Sequence, residues 1–129
     1  MGWFSRKKKE KVNETEKIDN SINIEDSIKK IEELKKELKN CDSIKKVTLL
    51  NDIGGIYYKI LDYDNAVIYY EESLNIEKTI GKAYTNLLNI YNIKRREAAV
   101  NKDDEKLQYY LNKIDDMMKI SKDVVRGNV

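Results

Sequence analysis

The chain contains no histidine and no proline, and only one cysteine, one tryptophan and one phenylalanine in 129 residues. Without histidine there is no Ser-His-Asp or Cys-His nucleophile pair, no imidazole-ligated metal and no imidazole acid–base chemistry. A lone Cys41 can form neither an internal disulfide nor a multi-cysteine zinc site. The absence of proline and the small number of glycines, five, favour helices joined by short turns. No apolar run reaches the roughly 18 residues that would span a bilayer, and the start lacks the apolar stretch of a signal peptide. These absences point to a helical, cytoplasmic, non-enzymatic chain of one domain's length.

What is present is charge, at 37% of the residues, with a net of +2 that is unevenly spread. Residues 1–11 set Arg6, Lys7, Lys8, Lys9 and Lys11 against Glu10, a local excess of +4, so the rest of the chain carries −2. A nucleic-acid-binding domain would carry a basic face on its folded body, and none is visible in the linear pattern, so no nucleic-acid partner is expected.

Residues 1–20 lack a sustained apolar period and read as a disordered basic and aromatic tail. Beyond them the apolar residues recur at three and four, the period of an amphipathic helix. Ile28, Ile31, Leu34 and Leu38 define a helix over about 25–39. Ile44, Val47, Leu50, Ile53, Gly54, Tyr57 and Ile60 define a second, over 43–60, with Asp42 or Ser43 as its cap. Ala66, Val67, Tyr70, Ser73 and Leu74 define a third over 63–79, started by Asp62. Ala83, Tyr84, Leu87, Leu88, Tyr91 and Ala98 define a fourth over 82–100, after a turn at Gly81. Leu107, Tyr110, Leu111, Ile114 and Met117 or Met118 define a fifth over 103–121. The folded domain is expected over 21–122, with 123–129 fraying.

The middle of the chain repeats. Leu50-x2-Ile53-Gly54-x2-Tyr57 is followed by Asp62-Tyr63, Ala66-x3-Tyr70 and Ser73-Leu74, and Tyr84-x2-Leu87-Leu88-x2-Tyr91 begins again 34 residues on, Tyr57 to Tyr91. The first unit resembles a tetratricopeptide repeat, whose signature is a large residue, Leu-Gly and Tyr, then Ala and an aromatic. The second is a degenerate match: Leu88 stands in place of glycine and Lys106 in place of alanine. Asp104-x4-Tyr109-Tyr110 echoes Asp64-x4-Tyr69-Tyr70 at a spacing of 40, as in a lengthened repeat. In the first unit Leu61 replaces the usual turn glycine and Lys78 the proline.

The resemblance implies an all-α fold of about five helices: antiparallel hairpins stacked as a short right-handed α-solenoid. Leu50, Ile53, Gly54, Tyr57, Ala66, Tyr70, Leu74, Tyr84, Leu87, Tyr91 and Tyr110 would pack the repeats, with Gly54 and Ala66 admitting close approach of the two helices. The first helix of each hairpin would line a concave surface that binds a peptide or protein segment. That places Asn51, Asp52, Gly55, Tyr58 and Lys59 on the groove from one unit and Lys82, Thr85, Asn86, Asn89, Asn92 and Arg96 from the next. Asparagine amides in such a groove can pair with the backbone of an extended peptide. The family's carboxylate clamp needs a lysine and an asparagine where Asn51 and Gly55 stand, so it is not expected. Two units leave open end faces, to be covered either by the helices at 25–39 and 103–121 acting as caps or by pairing between chains.

Trp3 and Phe4 sit beside Arg6, Lys7, Lys8 and Lys9, the composition of a weak anchor for an anionic membrane surface. The second reading of the chain is therefore a helical bundle that self-associates or docks on the inner face of a membrane through this tail. The acidic pairs Asp103-Asp104 and Asp115-Asp116 diverge by about 100° around a helix and make poor chelates. Gly54-Gly55 lacks the lysine spacing of a phosphate loop. No catalytic residue, metal or cofactor is assigned.

Overall fold

The computed structural model describes residues 24–127, which form five helices and no strand. Trp3, Phe4, Arg6, Lys7, Lys8 and Lys9 lie outside the described residues. The helices are α1 (24–39), α2 (Ser43–Lys59), α3 (Tyr63–Ile76), α4 (Lys82–Val100) and α5 (Asp104–Arg126). α2 packs on α3 and α4 on α5 as two antiparallel hairpins, α3 joins them by lying on α4, and α2 touches α4 lightly.

Three aspartates start three helices in the same way. A helix leaves its first N–H groups without intrahelical acceptors, and a carboxylate one residue ahead can take one. Asp42 accepts the Lys45 N–H at 2.8 Å, Asp62 the Asn65 N–H at 3.3 Å and Asp103 the Lys106 N–H at 3.1 Å. Gly81 precedes α4 without any side-chain cap.

The two hairpin turns are also alike. At the first, the Asp62 N–H donates to the Tyr57 carbonyl (2.9 Å) and the Leu61 N–H to that of Tyr58 (3.1 Å). At the second, the Asp103 N–H donates to Ala98 (2.9 Å) and the Lys102 N–H to Ala99 (3.2 Å). This is the Schellman closure, which needs a left-handed residue just past the helix. Leu61 (φ 65°) and Lys102 (φ 56°) fill that role, without glycine. The matched turns align Asp62 with Asp103, 41 residues on, one more than the tyrosine pairs suggest. In this register Leu107 answers to Ala66 and Leu111 to Tyr70, so Tyr110 is not the counterpart of Tyr70.

The core has two parts. Ile31 and Leu34 of α1 meet Leu49 and Ile53 of α2. Ala66, Tyr70 and Leu74 of α3 meet Ala83, Tyr84, Leu87, Ile90 and Tyr91 of α4 and Met117 of α5. Tyr57 packs against both parts. Of the expected packing positions, Leu50, Ile53, Gly54, Ala66, Tyr70, Leu74, Tyr84, Leu87 and Tyr91 are buried, whereas Tyr57 and Tyr110 are half-buried. Leu49 and Ile90 are buried in addition. α4 lies between α3 and α5, so its apolar surface is wider than one stripe.

Several expected boundaries and faces differ. Ile44 is 86% exposed because it sits in the first turn of α2, beyond the reach of α1 and α3. α3 ends at Ile76 rather than 79, where Glu77 turns extended (φ −138°) and the chain needs 77–81 to reach α4. α5 does not fray from 123. It continues to Arg126, capped by Gly127 in the left-handed conformation (φ 74°). Leu111 and Met118 are exposed, and Met117 is the one fully buried residue of α5.

Candidate functional site

An open groove of about 830 Å³ is bounded by α1, α2, α3 and the start of α4. α2 contributes Asn51, Asp52, Gly55, Tyr58 and Lys59, which recur at three and four and so share one face. α4 contributes Lys82, Ala83 and Asn86 from its first turns. The apolar and aromatic lining is Leu34, Ile56, Tyr63 and Tyr70, with Leu61 exposed at the hairpin turn. Gly55 keeps the wall thin, with the Tyr70 hydroxyl 3.7 Å from where its Cβ would stand.

The charge of the groove is one-sided. Lys30, Lys59 and Lys82 border it against a single carboxylate, Asp52. None of these four makes an ion pair with another described residue within 4.0 Å. One polar atom is also left over. The Asn51 Oδ1 is buried and has no hydrogen-bond donor, a state that costs about 1–3 kcal/mol in a protein interior.

The asparagines of α4 are not free in the way the sequence suggests. Asn86 Nδ2 donates to the Tyr70 hydroxyl at 2.9 Å and Asn89 Nδ2 to the Tyr58 hydroxyl at 2.6 Å. Asn92 Nδ2 donates to the Leu88 carbonyl of its own helix at 3.1 Å. One N–H of each amide is therefore engaged within the protein, and the second N–H and the carbonyl oxygen remain for a ligand. Asn89, Asn92 and Arg96 lie outside the groove lining because the groove reaches only the first turns of α4, and Thr85, within those turns, is exposed away from it. Lys30 and Leu34 also line the groove although α1 carries no repeat signature; their spacing of four on a helix is the sequence signal that puts them on one side.

Tyrosines order the surroundings. Tyr57 stacks on Tyr69 (centroids 5.7 Å apart) and its hydroxyl accepts from Lys35 Nζ at 3.0 Å. That bond holds the Lys35 ammonium above its ordinary pKa. Tyr58 packs beside Tyr63 at 5.5 Å and Tyr70 at 6.5 Å. On the far side of α4, the Tyr91 hydroxyl donates to Glu71 Oε2, which also accepts from Lys113 Nζ at 3.2 Å. Burial pushes the Tyr91 phenol far up, and the Glu71 carboxylate adds to it. Burial works to lower Lys113, but Glu71 outweighs it and the pKa rises. This trio ties α3, α4 and α5 together.

Among the described residues no group of three or more His, Cys, Asp or Glu is placed to hold a metal ion. No helix there is long and apolar enough to cross a membrane. The Cys41 thiol donates to the Leu38 carbonyl at 3.3 Å. No protein-family model, curated protein or solved structure matches the chain.

Proposed function

We propose that the chain is a small tetratricopeptide-like interaction module that binds an extended, acidic protein segment in the groove between α1, α2, α3 and α4. The observation that carries this reading is the groove itself. It is a concavity of about 830 Å³ in which Lys30, Lys59 and Lys82 face a single aspartate over an apolar lining. An acidic segment matches the charge, and its apolar side chains match the lining. The Asn51 Oδ1 adds a polar reason. If the amide turns toward the groove, a backbone N–H of the segment supplies the donor it lacks. The repeated Schellman turn and the two antiparallel hairpins support the solenoid arrangement that such a groove belongs to.

The test uses the full chain and two synthetic peptides of equal length. One alternates Asp or Glu with Leu, and the other replaces each acid with Lys. Fluorescence anisotropy should detect binding of the acidic peptide alone, weakening as salt rises. Lys59→Glu combined with Lys82→Glu should weaken it at least about tenfold, the effect of losing two charge contacts. Both lysines are exposed, so circular dichroism should stay unchanged. Equal binding of the two peptides, or no effect of the double substitution, would overturn the reading.

A further inference from the structure

The sequence ahead of α1 divides by charge. Residues 1–11 carry a net +4, whereas in residues 12–22 Glu14, Glu16 and Asp19 stand against Lys17 alone, a net of −2. Val12, Ile18 and Ile22 are interleaved with those acids. The groove has the opposite charge: Lys30, Lys59 and Lys82 against Asp52, a net of +2, beside Leu34, Ile56, Tyr63 and Tyr70. No described carboxylate lies within 4.0 Å of these three ammonium groups. A strip that mixes acids with aliphatic side chains complements a groove that mixes lysines with apolar lining. The same lysines repel residues 1–11, so the match is confined to 12–22.

Connectivity is a second, independent argument. α1 starts at residue 24 and is itself a wall of the groove, through Lys30 and Leu34. Lys30 lies about 9 Å along α1 from that start, at the helical rise per residue. The α2 face from Asn51 to Lys59 is about 12 Å long by the same measure. The 11 residues from Val12 to Ile22 reach at most ~36–40 Å when extended, enough to turn back and cover that face. A segment joined directly to the groove wall acts at an effective concentration on the order of millimolar, so weak contacts suffice to fill the groove.

We infer that residues 12–22 are the groove's own occupant, an internal competitor that an acidic partner segment must displace. The inference rests on the groove being the binding surface and adds a regulation to it: the surface opens when the segment leaves.

The test uses the full chain with Cys41→Ser and Thr15→Cys, carrying a nitroxide on the new thiol. The Cys41 thiol bonds only the Leu38 carbonyl of the adjoining turn, so serine keeps the fold. In amide NMR the resonances of Asn51 and Asn86 should broaden, and those of Asp115 and Lys122 on α5 should not. Lys59→Glu with Lys82→Glu should abolish the broadening. Mixing nitroxide-bearing chains with isotope-labelled chains that lack the nitroxide should leave the latter sharp. Broadening there would give the groove to the segment of a second copy and overturn the inference. Ile18→Asn with Ile22→Asn leaves the charge unchanged and removes the apolar contacts. It should tighten binding of the acidic, leucine-containing peptide at least about threefold, because a larger fraction of chains then has an open groove. Sharp Asn51 and Asn86 resonances, or peptide binding indifferent to Ile18→Asn with Ile22→Asn, would overturn the inference and leave the groove reading standing. A peptide that binds none of these chains would strike the groove reading itself.

Discussion

Gly54 of α2 lies flat against the ring of Tyr70 of α3: a Cβ at residue 54 would stand 2.9 Å from both Cδ1 and Cε1 of that ring. What the glycine admits is a tyrosine ring, inserted between α2 and α4, more than a neighbouring backbone. The ring has little freedom to retreat. It is 1% exposed and its hydroxyl accepts from Asn86. Gly54→Ala gains about 1 kcal/mol of helix propensity, but overpacking a fixed core costs about 1–3 kcal/mol. The expected result is a net loss of about 1 kcal/mol, read as a lower melting temperature by roughly 4–8 °C. Gly54→Leu should be worse. Adding Tyr70→Leu to Gly54→Ala should show a strong favourable coupling in a double-mutant cycle. Simple additivity would mean that the contact does not limit the packing.

Leu61 and Lys102 hold left-handed backbone at equivalent turns. A side chain with a Cβ in that conformation costs about 1–2 kcal/mol relative to glycine, partly offset by the greater freedom glycine gives the unfolded chain. Leu61→Gly and Lys102→Gly should therefore each raise stability, by about 0.5–1 kcal/mol. Both side chains are exposed, so no packing is lost with them. Urea unfolding of the two single variants and the double variant checks this.

The residues that made the α2–α3 hairpin legible are those whose spacing does a local mechanical job. Asp62 caps, Gly54 clears a ring, and Ala66 and Leu74 recur at helical period on the side that meets α4. The α2–α3 hairpin was readable for that reason. Helical spacing misleads where burial depends on a neighbour that the sequence does not announce. Leu111 and Met118 have apolar spacing as good as that of Tyr70 and Leu74, but nothing among the described residues covers them. Ile90 is buried because α4 has helices on two sides. Asn51, Tyr58 and Lys59 of α2 and Lys82 and Asn86 of α4, which the family resemblance puts on a concave face, are among the residues that line the groove. Lys30 and Leu34 enter only through the tertiary placement of α1, and the amides of Asn86 and Asn89 proved to be tied to tyrosine hydroxyls 16 and 31 residues away.

Tyr84 joins α4 to α5 through a buried bond from its hydroxyl to the Met117 carbonyl, at 2.9 Å. That carbonyl sits inside a helix and keeps its intrahelical partner when the hydroxyl is removed. Tyr84→Phe should therefore cost only the net value of one hydrogen bond, about 0.5–1.5 kcal/mol, with α-helical circular dichroism unchanged. Tyr84→Ala leaves a cavity beside Leu87 and Met117 and should cost about 3–5 kcal/mol. A similar loss from both variants, measured by chemical denaturation, would show that the hydroxyl and not the ring holds the second hairpin closed.

The fold should be sensitive to alkali. Burial raises the phenols of Tyr70, Tyr91 and Tyr110 above their ordinary 10.0. Lys35, held by the Tyr57 hydroxyl, Lys94, held by Asp64, and Lys113, held by Glu71 against its own burial, are raised above 10.5. Each of these groups keeps its proton in the folded chain at a pH where the unfolded chain has released it. Their contribution is therefore complete below the unfolded values and is lost as pH climbs past them. Melting temperature should stay level up to about pH 9 and then fall steeply above pH 10. For one group the limiting slope is about 1.4 kcal/mol per pH unit. Tyr91 carries the largest shift and is 3% exposed, so it should dominate. Tyr91→Phe should lower the neutral plateau by about 1–2 kcal/mol, through the lost bond to Glu71, yet flatten the alkaline decline. A decline of unchanged slope in Tyr91→Phe would move the alkaline sensitivity to the lysines.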